Sequence, residues 1–310
     1  MARFIQILMW KKPWMMKEGF AIGGGLIASG LALQLATGPV AWGAMAWPVN
    51  GILMAALLAI IGAMYMLRKR VYALQFLGTY RAAIPALTYA VVLTIIMGLV
   101  PQKTNADWLS NMLGFWPFVL IYVYMALILG LIIIARALRF SWKRDIPFML
   151  NHLGLFLAMT TATLGNADMQ RLKMITVEGE PEWRALDSNG LIKEMPIAIE
   201  LKKFIMETYD DGSPKRYASQ IQILTKTGKN IETTIDVNKP IEVDGWKIYQ
   251  YGYDTNMGPM SKTSILELVS DPWLPLVYAG IYMMIGGAIC LFAFGKRPRN
   301  EERGMRNEEL

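Results

Sequence analysis

IPFMLNHLGLFLAMTTATL, residues Ile146–Leu164, runs for nineteen positions without a formal charge. At 1.5 Å per residue a helix of this length approaches the ~30 Å of a bilayer's hydrocarbon core, which about 17–25 apolar residues suffice to cross. Inside it stands His152, the only histidine among 310 residues. An imidazole is costly to desolvate, and an ionisable residue within a membrane span marks a functional site. Neutral imidazole is also the commonest protein ligand for metals. From the residues alone two readings stay open. His152 is a ligand, or it is a packing residue hydrogen-bonded to a backbone carbonyl, to Asn151 or to a threonine of a neighbouring helix.

The same criterion, applied outward from this stretch, predicts six spans: about Phe20–Thr37, Pro48–Leu67, Ile84–Val100, Trp116–Ala135, Ile146–Leu164 and Leu274–Gly295. With 54% hydrophobic and 18% charged residues the chain is too apolar for an ordinary soluble domain. Lysine and arginine are retained on the cytoplasmic side, so their placement predicts orientation. Seventeen of them fall on one side, in the N-terminal stretch, the loops after the second and fourth spans, and the tail. The short loops on the other side, 38–47 and 101–115, hold only Lys103. Both termini are therefore expected in the cytoplasm, with 165–273 outside. That outer segment carries 13 Lys/Arg against 17 Asp/Glu, so the net charge of +7 is topological. It points to anionic membrane lipids as a contact and not to nucleic acid. A cleavable signal peptide ending near Ala44-Met45-Ala46 is disfavoured, because the first apolar run is too long and lies too far from that site. The lone Cys290 excludes a disulfide or a Cys-x-x-Cys centre within the chain.

The outer segment reads as strands. Met195–Tyr209 alternates apolar and polar residues and ends at the turn Asp210-Asp211-Gly212-Ser213-Pro214. Tyr217–Gly228, Asn230–Val237, Lys239–Asp254 and Ser261–Asp271 follow, with Asp244-Gly245 as a hairpin turn. The expected fold is thus a polytopic α-helical membrane protein with one extracytoplasmic, mainly antiparallel β domain, sandwich or barrel. Its parts are 1–145 (N-terminus and four spans), 146–164 (the histidine span), 165–273 (the β domain), 274–295 (the last span) and 296–310 (a basic tail). The β domain holds no histidine or cysteine, so nucleophilic catalysis of the familiar kinds lacks its parts. Asp210 and Asp211 read as solvated turn charges. Gly23-Gly24-Gly25 lies inside a span, where small residues serve helix packing and not phosphate binding. The aromatics Trp246, Tyr249, Tyr251 and Tyr253 fit core or membrane-surface packing at least as well as a ligand platform.

Four segments carry a resemblance. VNKPIEVDGWKIYQYGYD (Val237–Asp254), DPWLPLVYAG (Asp271–Gly280), DGSPKRYASQIQI (Asp211–Ile223) and NHLGLFLAMTTATLGNADMQRLKMITVEGE (Asn151–Glu180) resemble, in order, segments of the ResB-like (CcsB) family of system II cytochrome c biogenesis. The motif positions are Asn238, Pro240, Gly245, Tyr249, Gln250, Tyr253, Asp271 and Pro272, with no role attached to them. The likeness covers roughly 140–295, about half the chain. Family members place three spans before the domain and this chain five, so no residue role passes to the four N-terminal spans.

The resemblance implies a component of the cytochrome c synthase in a bacterial inner membrane, with the β domain on the periplasmic face. Such a protein pairs with a CcsA-type membrane protein, carries haem (haem b in transit) across the membrane and presents it for attachment to apocytochrome c. On its own it is not an enzyme but a non-catalytic or co-catalytic subunit of the haem lyase complex. A haem within the bilayer is ligated by one transmembrane histidine from each partner, and His152 fits that position. It lies about 12 Å along the helix from Arg144. Phe148, Met149, Leu155, Phe156 and Met159 share its face, as a porphyrin contact or a helix–helix seam. With no second histidine, the other axial ligand is a methionine or belongs to the partner. A small-solute transporter and a membrane-anchored binding or scaffold protein without haem are the alternatives. Few buried charges and no inverted repeat speak against the first.

Overall fold

A computed structural model describes residues 10–103, 106 and 108–294. Arg3, Gly295 and the basic tail 296–310 lie outside the described residues, as does the side chain of Lys143. Two compact units emerge, one formed by the segment 168–273 and the other by the remainder.

The helical unit contains α1 (Met16–Thr37), α2 (Val49–Leu67), α3 (Tyr72–Leu77), α4 (Tyr80–Leu99), α5 (Trp116–Ala137), α6 (Trp142–Gly165) and α7 (Leu274–Phe294). All but the short α3 are long and apolar enough to cross a membrane. Three helices, α1, α4 and α6, begin four residues before the predicted spans. Hydropathy marks where the apolar side chains start, whereas a helix starts where its first N–H groups are satisfied. In α6 that point is Ser141, whose backbone N–H donates to the Asp145 carboxylate at 2.9 Å. Lys143, Arg144 and Asp145 thus form the first turns of a helix whose apolar part follows. The early starts of α4 and α6 leave a proline inside each helix, Pro85 and Pro147.

Helices α6 and α7 cross at glycines. A Cβ on Gly154 would lie 2.6 Å from the Gly280 carbonyl oxygen, and one on Gly280 would lie 2.6 Å from that of Gly154. The backbones touch because neither residue has a side chain, the usual device of membrane helices that gain nothing from hydrophobic exclusion. On another side of α6, Phe156 joins Ile61, Ala126, Leu129 and Ile133 in a buried cluster linking α2, α5 and α6. Gly23 of α1 lies against the Tyr89 ring, a packing role as the sequence implies.

The second unit is one antiparallel sheet of eight strands: β1 (Gln170–Val177), β2 (Pro181–Leu186), β3 (Ile192–Thr208), β4 (Pro214–Thr225), β5 (Asn230–Asp236), β6 (Ile241–Val243), β7 (Trp246–Tyr253) and β8 (Thr263–Ser270). Their order is β5-β4-β3-β2-β1-β8-β7-β6. Alternate residues such as Ile197, Ile199 and Leu201 point to one buried core, shared with Leu172, Met174, Ile221, Ile223, Ile248, Leu266 and Leu268. The sheet curls until β4 meets β8, where the Ser219 hydroxyl donates to that of Ser264 at 2.7 Å. Asp244 and Gly245 form the β6–β7 turn with φ of 47° and 81°, the left-handed pair that a two-residue hairpin needs. The unit's ends are joined as well: the Trp273 indole N–H donates to the Asp168 carboxylate at 2.6 Å.

Candidate functional site: the His152 stripe of α6

His152 lies on α6 between the two packed faces. One side of the helix presents Asn151, Gly154 and Ala158 to α7, with Asn151 beside Gly287. The other presents Met149, Phe156 and Met159 to the cluster shared with α2 and α5. Between them runs a stripe of Phe148, His152 and Leu155, in which Leu155 is exposed and the two rings are half-buried. At its Phe148 end the stripe meets Arg136 of α5.

Phe148 supplies both contacts that fix the imidazole. Its ring stacks on that of His152 with centroids 3.8 Å apart and planes 19° apart. Its carbonyl oxygen lies 2.9 Å from Nδ1. A carbonyl can only accept, so Nδ1 carries the proton and donates. Nε2 has no hydrogen-bond partner among the described residues, and in the imidazole form with the proton on Nδ1 it is the nitrogen that carries the lone pair. A ligating histidine is normally prepared in this way, by an N–H bond from the second nitrogen to a carbonyl or carboxylate. Of the packing options, the backbone carbonyl is thus realised for one nitrogen only. Asn151 donates instead to the Pro147 carbonyl at 2.8 Å, and Thr160 and Thr161 donate to carbonyls of their own helix.

Charge stands one ring away. The Arg136 guanidinium, in the last turn of α5, lies over Phe148 at 5.1 Å from the ring centroid. Such a contact contributes about 0.5–1 kcal/mol, more where water is excluded. Arg136 Nη2 also meets Asp145 at 2.7 Å, and Arg144 Nε meets the same carboxylate at 3.0 Å. Asp145 is fully buried. Sequence reasoning counted the basic residues between the fourth and fifth spans, Arg136 among them, only as charges that set topology. The convergence of Arg136 and Asp145 on Phe148 needs the α5–α6 turn, which no spacing along one helix reveals.

The five neighbours of His152 divide. Phe148 and Leu155 share its open stripe, while Met149, Phe156 and Met159 belong to the helix seam. Both thioethers are therefore occupied in packing. Among the described residues no three His, Cys, Asp or Glu side chains gather as a metal site.

The motif positions of the β unit do not converge on one another as a site. Asn238, with φ of 62°, and exposed Pro240 shape the β5–β6 turn, and Gly245 the next one. Gln250 is buried, donating to the Gly252 carbonyl at 2.9 Å and to the Ser264 hydroxyl at 3.0 Å. A bulge between Gln250 and Gly252 shifts the register of β7, and Tyr253 then stacks on Phe204 at 5.1 Å. Tyr249 is half-buried, and Tyr251 is exposed beneath the Lys173 ammonium at 3.8 Å. Asp271 accepts the Trp273 N–H at 3.1 Å beside exposed Pro272. In the predicted solvated turn, Asp211 accepts both the N–H and the hydroxyl of Ser213, which hold its carboxyl below the usual range.

Fold and site together define a polytopic membrane protein whose longest loop is a folded antiparallel β unit and whose single histidine offers a free imidazole nitrogen. Residues 143–265, from the first turn of α6 into β8, match the ResB-like family. His152 falls inside the match and α1–α5 outside it. The cytochrome c biogenesis protein CcsB of Prochlorococcus marinus strain NATL1A is 30% identical over 102 residues, covering 33% of this chain and 23% of that protein. Its counterpart in Prochlorococcus marinus subsp. pastoris strain CCMP1986 is 29% identical over 116 residues, covering 37% and 26%. The match thus spans about a quarter of these relatives' length. Among solved structures, a cytochrome c haem lyase, CcmF, aligns over 78% of this chain and 45% of its own, at 14% identity and a TM-score of 0.35.

Proposed function

We propose that this chain serves cytochrome c biogenesis as a membrane subunit of the system II synthase, in which His152 holds haem iron through Nε2 while haem passes to apocytochrome c. One observation carries the reading. The Nδ1–H bond to the Phe148 carbonyl leaves the only histidine of the chain with an uncommitted Nε2, on a stripe of α6 whose Leu155 is exposed. The ResB-like match across His152 and the relatives named CcsB support the pathway. Haem is cargo here, and the residues fit it: a neutral imidazole for the iron, flanked by Phe148 and Leu155 for the apolar macrocycle.

The second axial ligand comes from a partner, since Met149 and Met159 are packed in the helix seam. A CcsA-type membrane protein lying on the open stripe supplies it, and the thioether chemistry belongs to the assembled complex. By the charge bias of its loops, the chain keeps both termini in the cytoplasm of a bacterial cell and the β unit on the periplasmic face of the inner membrane. The β unit serves there as scaffold and docking surface for apocytochrome c.

The test is made in cells that mature a c-type cytochrome through this chain. His152→Ala abolishes covalent haem staining of the cytochrome, and imidazole in the medium partly restores it in His152→Gly by occupying the vacated coordination position. Normal maturation in His152→Ala overturns the proposal.

A further inference from the structure

We infer that Phe148 is the positioning residue of His152 and that Arg136, anchored on buried Asp145, holds Phe148 in place. The inference takes its significance from the reading of His152 as a haem ligand, but its geometry and its tautomer readout need no haem.

A histidine ring turns easily about its last torsion, which joins a tetrahedral to a planar carbon and has broad minima. A single hydrogen bond to a carbonyl leaves it room to swing, and a half-turn would exchange Nδ1 with Cδ2 and Nε2 with Cε1, breaking that bond and re-aiming the lone pair. The stacked Phe148 ring, 3.8 Å away and nearly parallel, closes off that motion. Phe148 has the same soft torsion and needs its own restraint. Arg136 provides it from a different helix, its guanidinium lying over the ring.

The placement of Arg136 is set by Asp145. That carboxylate is fully buried and accepts Arg136 Nη2 at 2.7 Å, Arg144 Nε at 3.0 Å and the Ser141 N–H at 2.9 Å. Arg136 Nε, by contrast, is buried with no hydrogen-bond partner. An arginine placed only to satisfy its donors would not leave one stranded. Its position is accounted for by the carboxylate on one group and the aromatic ring beneath. The series Asp145–Arg136–Phe148–His152 therefore ties the turn between α5 and α6 to the direction in which Nε2 points.

Because the chain has a single histidine, ring-labelled 15N-histidine protein gives one pair of imidazole nitrogen signals when purified in detergent on a tag without histidine. Without haem, the wild type shows one tautomer, protonated at Nδ1. Phe148→Leu keeps the backbone carbonyl but loses the stack, and its two nitrogen shifts move toward a common average as both tautomers populate. Phe148→Tyr keeps the wild-type shifts, and Arg136→Gln shifts in the same direction as Phe148→Leu. Haemin affinity falls about tenfold in Phe148→Leu, as for other partners that orient a metal-bound histidine. If Phe148→Leu retains the single Nδ1–H tautomer with wild-type shifts, the positioning role is overturned. Should Phe148→Leu fail to fold, Arg136→Gln carries the same test, and unchanged shifts there overturn the relay from Arg136. Haemin titration of wild type and His152→Ala on the same samples separates the two ideas: equal uptake removes the haem reading, while the tautomer result still decides the positioning.

Discussion

The Phe148 ring lies 3.8 Å from the His152 imidazole, and the Phe148 carbonyl accepts the Nδ1 proton at 2.9 Å, so one residue a helical turn away sets both the plane and the tautomer of the only histidine. Two contacts from a single neighbour orient the ring and leave Nε2 free. A partner or ligand meets a nitrogen that is already prepared, with less freedom left to lose on binding.

Helix packing beside this stripe depends on the glycine crossing. Gly280→Val forces a side chain into the Gly154 carbonyl, whereas Gly286 on the same helix has nothing within 4 Å of its Cβ position. Thermal unfolding in detergent should find Gly280→Val destabilised by about 1–3 kcal/mol and Gly286→Val close to wild type. Equal effects of the two would mean that α6 and α7 do not cross there.

Six spans were legible because a bilayer demands length and apolarity, and both can be counted. Their ends were less so. Asp145 extends α6 backward by bonding the Ser141 N–H, a contact that hydropathy does not register. Strands β3–β8 were visible from alternation and turn residues, and Asp244-Gly245 fell where expected. The pair β1 and β2 went unread, although Leu172 and Met174 alternate with Arg171 and Lys173 in β1. The curl of the sheet rests on Ser219 and Ser264, 45 residues apart, a pairing without a local signal. At the site, His152 announced itself by being alone. Phe148 was within reach of a spacing argument, but Arg136 sits on another helix and was not.

The buried polar group of the β unit should behave as one piece. Ser264 accepts from Ser219 and Gln250, and its carbonyl accepts the Thr176 hydroxyl at 3.1 Å. Ser264→Ala strands two buried donors and should cost about 1–3 kcal/mol. Hydrogen exchange at β7 and β8 amides should rise accordingly, while Ser213→Ala in an exposed turn leaves it unchanged. Unaltered protection in Ser264→Ala would contradict the buried network.

An acid limit follows from Asp236. Arg216 bonds it with Nε at 2.7 Å and Nη2 at 2.9 Å, which holds the Asp236 carboxyl below its ordinary value of 3.8. A carboxyl depressed in the folded state stabilises above its unfolded value, and that contribution is lost as pH falls through the folded value. The β unit should therefore hold its stability down to about pH 4 and lose part of it below. Asp236→Asn should remove that part of the acid dependence. The pair is partly exposed, so the effect is modest and weakens with salt. An identical acid profile in Asp236→Asn would rule the pair out as its source.

The central claim is that Nε2 of His152 binds haem iron. The absorption spectrum of the chain, purified with the proposed CcsA-type partner from cells supplied with haem, reads this out. The account predicts a Soret band that His152→Ala weakens or abolishes while the complex stays assembled. A haem-free complex, or a band of unchanged position and intensity in His152→Ala, would contradict it.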